Sequence, residues 1–253
     1  MQDAQSEKKT RIYLIDELRG IVLLSMIAFH TVYDIHYIYD AGFDWFGGSL
    51  QLIWQYSIGW VFVFIAGMST QFSRHAVKRF VKLLIVAVLI SLVTYLAGID
   101  QMVKFGVIHL LAACALFYLI FESFLKKAPL LPAAICTFII FLIVLPIPQG
   151  YIQVLPGVQI TLPQALYMHD IFAAFGFPSP SYVDADYYPF IPYIFLYLSG
   201  MYTCLYAKKH GFPEFSKYQH AKFLSTIGSH TLPIYLLHQP IILGTIELIR
   251  YFT

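Results

Sequence analysis

"LRGIVLLSMIAFHTVYDIHY", Leu18 to Tyr37, decides the fold. An α-helix needs about 20 mostly apolar residues to cross a bilayer core roughly 30 Å thick, and this stretch supplies them. Yet His30, Asp34 and His36 fall where a span should stay apolar. At about 1.5 Å per residue, His30 lies roughly 14 Å beyond Ile21, near the bilayer midplane. With about 100° of rotation per residue, Asp16, Arg19, His30 and Asp34 fall within roughly 60° of one another on the helix wheel. They form one polar stripe turned away from lipid. An ionisable group at this depth costs a few kcal/mol even on lenient insertion scales, so it marks a functional site by default.

The rest of the chain has the same character. Its 253 residues are 59% hydrophobic and 12% charged, with a mean hydropathy of +0.70. Soluble proteins average about 45 to 50% apolar and about 25% charged. The pattern predicts an all-α polytopic membrane protein with seven spans, at 18–39, 49–72, 80–98, 105–125, 129–147, 189–207 and 224–249, forming a single domain over 1–253. Lys and Arg accumulate on the cytoplasmic side of short loops. Lys8, Lys9, Arg11 and Arg19, then Arg74, Lys78, Arg79 and Lys82, then Lys126 and Lys127, then Lys208, Lys209, Lys217 and Lys222 all fall on one side of that topology. Acidic residues, among them Asp100, Asp170, Asp184 and Asp186, dominate the other. The N-terminus is expected inside and the C-terminus outside, in a bacterial plasma membrane. The net charge of +2 averages a basic face and an acidic one, so nucleic acid is not implied. The first 17 residues lack an apolar core and a cleavage site, and no removable signal peptide is expected.

One long connection, residues 148–188, is expected outside as a lid over an outward-facing pocket, since loops above about 15 residues usually have a function. "LPQALYMHDIFAAFGF" within it is read as a short helix on the membrane surface. Pro189 and Pro192 open the sixth span. Pro233 and Pro240 interrupt the seventh, freeing the carbonyls of Ser229 and Leu236, a pattern tolerated only beside protein or a water-filled cavity. Cys114, Cys136 and Cys204 sit within spans with no CxxC pair, and read as small buried hydrophobes rather than disulfide or metal ligands.

His30 and Asp34 are at i and i+4, where side chains on a helix meet. A carboxylate beside an imidazole fixes its tautomer and raises its basicity, as a general base requires. His109 and His238 lie at compatible depth in two other spans, and the three histidines together suggest a shared cavity. Each alone also reads as a satisfied core histidine. Asp186, with Tyr187 beside it, stands at the mouth of the sixth span, as an interfacial residue or as a ligand for a polyhydroxylated or amino acceptor. "RHAVKRFVK" brings Arg74, Lys78 and Arg79 together as positive-inside anchors or as partners for the phosphates of a cytosolic nucleotide.

"RIYLIDELRGIVLLSMIAFHTVYDI", "FGVIHLLAACAL", "DADYYPFIPYIFLYLSGM" and "LSTIGSHTLPIYLLHQPII" together resemble the small bacterial members of the heparan-alpha-glucosaminide N-acetyltransferase-like membrane family. The first and last also resemble the wider membrane acyltransferase type 3 group. The resemblance implies acyl transfer across a bilayer, from cytosolic acetyl-CoA to a sugar or glycan on the far side. It implies roles for Asp16, Arg19, His30, Asp34, His109, Asp186 and His238. The loop that carries a catalytic histidine in the lysosomal enzyme is "AGFDWFGGSLQLIWQ" here and has none; span 1 supplies His30 instead.

The sequence therefore predicts an acetyl-CoA-dependent O- or N-acetyltransferase. CoA is expected near Asp16, Arg19, Arg74, Lys78 and Arg79. His30 acts as base or nucleophile, oriented by Asp34, and His109 or His238 polarises the thioester or protonates the leaving group. Asp186 and Tyr187 meet the acceptor. The partners are the lipid bilayer, the CoA thioester and the glycan, with room for a homodimer; no metal and no haem are expected. The alternatives are a proton-coupled transporter without covalent chemistry, a haem b carrier using two of the three histidines, and a purely structural membrane protein.

Overall fold

A computed structural model describes residues 11–40, 42–73, 75–96, 98 and 102–252. In chain order these form α1 (Tyr13–Tyr37), α2 (Ser49–Thr70), α3 (Ala76–Leu96), α4 (Val107–Leu125), α5 (Leu130–Val144), β1 (Tyr151–Leu155), β2 (Val158–Thr161), α6 (Phe190–His210), α7 (Lys222–Ser229) and α8 (Thr231–Phe252), with short 3-10 turns between them. The protein is all-α and polytopic. Among the described residues six segments are long and apolar enough to cross a membrane: α1, α2, α4, α5 with the turn after it, α6 and α8. The expected span at 80–98 corresponds to α3, which is not among these six. Its opening turns carry Lys78, Arg79 and Lys82, and the uncharged remainder, Leu83 to Leu96, is roughly 21 Å long at about 1.5 Å per residue.

The expected span 224–249 is in fact two helices. α7 ends at Ser229, His230 leaves helical geometry at φ −108° and ψ 31°, and α8 starts afresh at Thr231. Pro233 then lies in the first turn of α8, where a missing N–H deprives no carbonyl of a helical partner. Pro240 remains inside α8. In α6 the residue before Pro192, Ile191, is extended at φ −99° and ψ 123°, the geometry that proline imposes on its predecessor.

The long connection has secondary structure of its own, a hairpin and short 3-10 turns. Tyr151–Leu155 and Val158–Thr161 pair antiparallel around Pro156 and Gly157, with Gly157 at φ +80°. Proline followed by a glycine in the left-handed region is the signature of a type II turn. The surface helix expected after it is instead two 3-10 turns, Gln164–Tyr167 and Asp170–Phe175.

The contacts divide into two compact units, Val63–His210 and the two flanking stretches Met1–Phe62 and Gly211–Thr253. In the flanking unit α1 lies against α7 at a crossing made by two glycines. A Cβ on Gly20 would collide with the carbonyl of Leu224, and one on Gly228 with the carbonyl of Asp16. Glu17, 5% exposed, accepts from Ala221 N at 2.8 Å just before α7. Phe29 packs edge-on against Trp54 at 5.4 Å, and Trp54 Nε1 donates to Ser25 Oγ at 2.8 Å.

The central unit is built on α6. Gly67 of α2 meets the Tyr197 carbonyl and Gly200 of α6 meets that of Phe64, again without room for a Cβ. Ser199 Oγ donates to Ala134 O of α5 at 2.9 Å, and Tyr202 OH to Leu125 O of α4 at 3.1 Å. Cys114 and Cys204 are buried as expected, whereas Cys136 is exposed, because α5 turns most of its surface outward.

Candidate active site

In the flanking unit α1 and α8 bring His30 and His238 together, their ring centroids 5.0 Å apart. His238 Nδ1 lies 2.5 Å from the backbone oxygen of Tyr235. A carbonyl oxygen only accepts, so Nδ1 carries the proton and Nε2 is left as a bare lone pair. That Nε2 is buried and has no hydrogen-bond partner among the described residues. One residue on, Gln239 Nε2 donates to Asp34 Oδ2 at 2.8 Å, and Asp34 is 1% exposed. Gln239 Oε1, the other end of the amide, is also buried with no partner among the described residues. The carboxylate expected to orient His30 thus faces Gln239, although His30 and Asp34 occupy one side of α1. The spacing within α1 brought them to one face; the partner came from α8.

Further along the polar stripe, Asp16 accepts from Arg19 at 2.8 Å and from Arg11 at 2.7 Å. It is an ion-pair centre at the start of α1.

The central unit holds the other expected residues. His109 Nδ1 accepts from Gly106 N at 3.3 Å, so its proton is on Nε2, which donates to Ser91 Oγ at 2.9 Å; Ser91 Oγ donates in turn to Val103 O at 2.8 Å. Both ring nitrogens are therefore occupied in tying the start of α4 to α3. The tautomer is the opposite of His238's.

Asp186 Oδ2 accepts from Val107 N at 3.1 Å, closing an orphan donor in the first turn of α4. Asp184 supports the same corner. Its Oδ2 accepts from Phe105 N at 2.6 Å and Lys104 N at 3.2 Å, and from Tyr182 OH at 3.0 Å. Burial, and then the Asp184 charge, push the Tyr182 hydroxyl well above the usual tyrosine range. Tyr187, whose hydroxyl is pushed up in the same way, donates to Ala173 O at 2.7 Å.

Among the basic residues, Arg79 spends its guanidinium on Thr70 Oγ1 and Ala66 O, both at 2.9 Å. It thereby places a cation against the last turn of α2, at the negative end of the helix. Thr70 Oγ1 also meets Tyr197 OH at 2.5 Å. Lys78 and Lys82 are exposed and line an open groove of about 900 Å³ along α3 with His75, Val81 and Ile85. Arg74 lies outside the described residues. No cluster of three metal-ligating side chains occurs among the described residues.

A family model described as "Heparan-alpha-glucosaminide N-acetyltransferase, catalytic" matches residues 11–240. The chain belongs to this family. The match takes in every candidate residue from Asp16 to His238 and ends one residue past Gln239. Membership of the heparan-alpha-glucosaminide N-acetyltransferase family places the protein among multi-pass membrane acetyltransferases that act on glycans. No curated protein and no solved structure matches the chain.

Gln239, Glu17 and Asp184 were not among the residues singled out in the sequence. Gln239 had a readable signal: "HQP" places two polar side chains and a proline together within a span.

Proposed function

We propose that the protein transfers an acetyl group from acetyl-CoA to an amino or hydroxyl group of a sugar or glycan across the bilayer, with its basic loops and CoA on the cytosolic side. The observation that carries this reading is the pair of buried atoms, His238 Nε2 and Gln239 Oε1, that lack a hydrogen-bond partner among the described residues. Both are acceptors. A buried polar atom without a partner costs about 1–3 kcal/mol, so the group that completes the pair is a hydrogen-bond donor. An N–H or O–H of the acetyl acceptor fits. The thioester carbonyl, itself an acceptor, does not.

This assigns the roles differently from the reading of α1 alone. His238 Nε2 takes the proton as the acceptor nitrogen or oxygen bonds to the acetyl carbon. The carbon–sulfur bond breaks as that bond forms. His238 passes that proton to His30, whose ring is in contact with its own, and His30 delivers it to the CoA thiolate, so both rings end neutral and the products are acetylated acceptor and free CoA. Asp34 holds the Gln239 amide with its oxygen directed at the acceptor. His109, Asp184 and Asp186 set the start of α4 and touch no reacting atom. Lys78 and Lys82, both exposed, offer ammonium groups to phosphate, while Arg79 serves α2.

The test is transfer in reconstituted vesicles given labelled acetyl-CoA on the side of the basic loops. Label appearing on a glucosamine-containing acceptor enclosed on the other side is the expected result. Passage of the acceptor without label would support the transporter reading instead.

A further inference from the structure

The β1–β2 hairpin has no part in the chemistry above, and its surface is at odds with an aqueous loop. From Ala128 to Met168 the chain holds no Asp, Glu, Lys, Arg or His, although α5 accounts for only the first part of that stretch. All four residues of β2 are exposed. Leu155 is 61% exposed, Ile160 53% and Val158 51%. A strand that alternates between core and water would show one polar face and one buried face; this one shows apolar side chains with no core beneath them.

The backbone at the tip is largely closed on itself. Gln153 Nε2 donates to Leu155 O at 2.5 Å and to Val158 O at 3.3 Å, and Leu162 N donates to Gly150 O at 2.8 Å at the base. A side-chain amide used to satisfy carbonyls at a solvent-accessible turn is redundant in water, where solvent would do the same. It is needed where water is scarce. The hairpin also continues directly from α5, whose Ile135 and Ile139 are 52% and 49% exposed on a helix long and apolar enough to span a membrane.

We propose that the β1–β2 hairpin is embedded in the interfacial layer of the bilayer beside α5, with Leu155, Val158 and Ile160 in contact with lipid. The outer strand edges confine it to that layer, since unpaired backbone groups do not enter the hydrocarbon core. A second copy of the chain is a poorer occupant. The strands are five and four residues long with a register break between Gln153 and Leu155, a weak template for edge pairing.

The experiment uses the full chain in phosphatidylcholine vesicles, with Cys136→Ser removing the exposed thiol. An environment-sensitive fluorophore is attached at Leu155→Cys, and in separate samples at Ile160→Cys, at Ile139→Cys in α5 and at Lys209→Cys in the last turn of α6. The two hairpin labels are expected to lose fluorescence to nitroxide-bearing lipid as the Ile139 label does, and to be shielded from aqueous iodide relative to the Lys209 label. Iodide quenching equal to that at Lys209, with no loss to nitroxide lipid, would overturn the proposal. So would energy transfer between labelled copies that vanishes on dilution into lipid while nitroxide lipid has no effect.

Discussion

Replacing Gln239 with Leu removes the amide that Asp34 bonds at 2.8 Å while keeping much of the side-chain volume. Asp34 is 1% exposed, so water cannot substitute. A hydrogen bond to a charged group contributes about 1.5–3 kcal/mol, and a buried acceptor left unmatched sits at the upper end of that range. Taking about 2–3 kcal/mol, and roughly 2–4 °C per kcal/mol for a chain of this size, Tm should fall by about 4–12 °C. The double variant Asp34→Leu with Gln239→Leu should recover most of that loss, because replacing both members of a buried polar pair is often neutral. Thermal unfolding of the four proteins in one detergent, followed by circular dichroism, completes the cycle. A Gln239→Leu protein within about 0.5 kcal/mol of the parent, the range of an ordinary surface change, would refute the pairing. So would a double variant as unstable as the sum of the singles.

Two further predictions rest on other parts of the fold. Gly228→Val should destabilise the α1–α7 crossing by about 1–3 kcal/mol through overpacking, because its Cβ runs into the Asp16 carbonyl; protease accessibility of the 211–221 segment would report it. The Tyr182 hydroxyl is raised by burial and by Asp184, so its contribution to stability is full below the unfolded tyrosine value of about 10 and falls as pH rises above it. The stability gap between the parent and Tyr182→Phe should therefore narrow in alkaline detergent solution; a gap that is constant or widens there would contradict the assignment.

Much of this was legible in the chain. Length and hydropathy were enough for an all-α polytopic protein, and the wheel of α1 singled out Asp16, Arg19, His30 and Asp34. The partner of Asp34 was not legible, because it comes from a residue 205 positions away and only the packing of α8 on α1 selects it. The break between α7 and α8 had a local signature that hydropathy averaging hid. "SHTLP" joins helix-start residues to a proline at a first-turn position. The hairpin was likewise written in the alternation around Pro156 and Gly157. The tautomers of His109 and His238 were beyond the sequence. Each depends on one hydrogen bond, to Gly106 N in the first and to Tyr235 O in the second, and those bonds separate a tethering histidine from a free base.

The most direct test of that distinction is acetyl transfer by His238→Gln, beside the parent and His109→Gln, in vesicles with labelled acetyl-CoA and a glucosamine acceptor. Gln keeps a polar side chain at 238 but offers no nitrogen lone pair. Loss of a general base typically lowers the rate about 10²–10⁴-fold, and a fall of that order is expected for His238→Gln with the protein still folded. His109→Gln should lose stability while retaining a measurable rate. Unchanged transfer by folded His238→Gln would contradict the account.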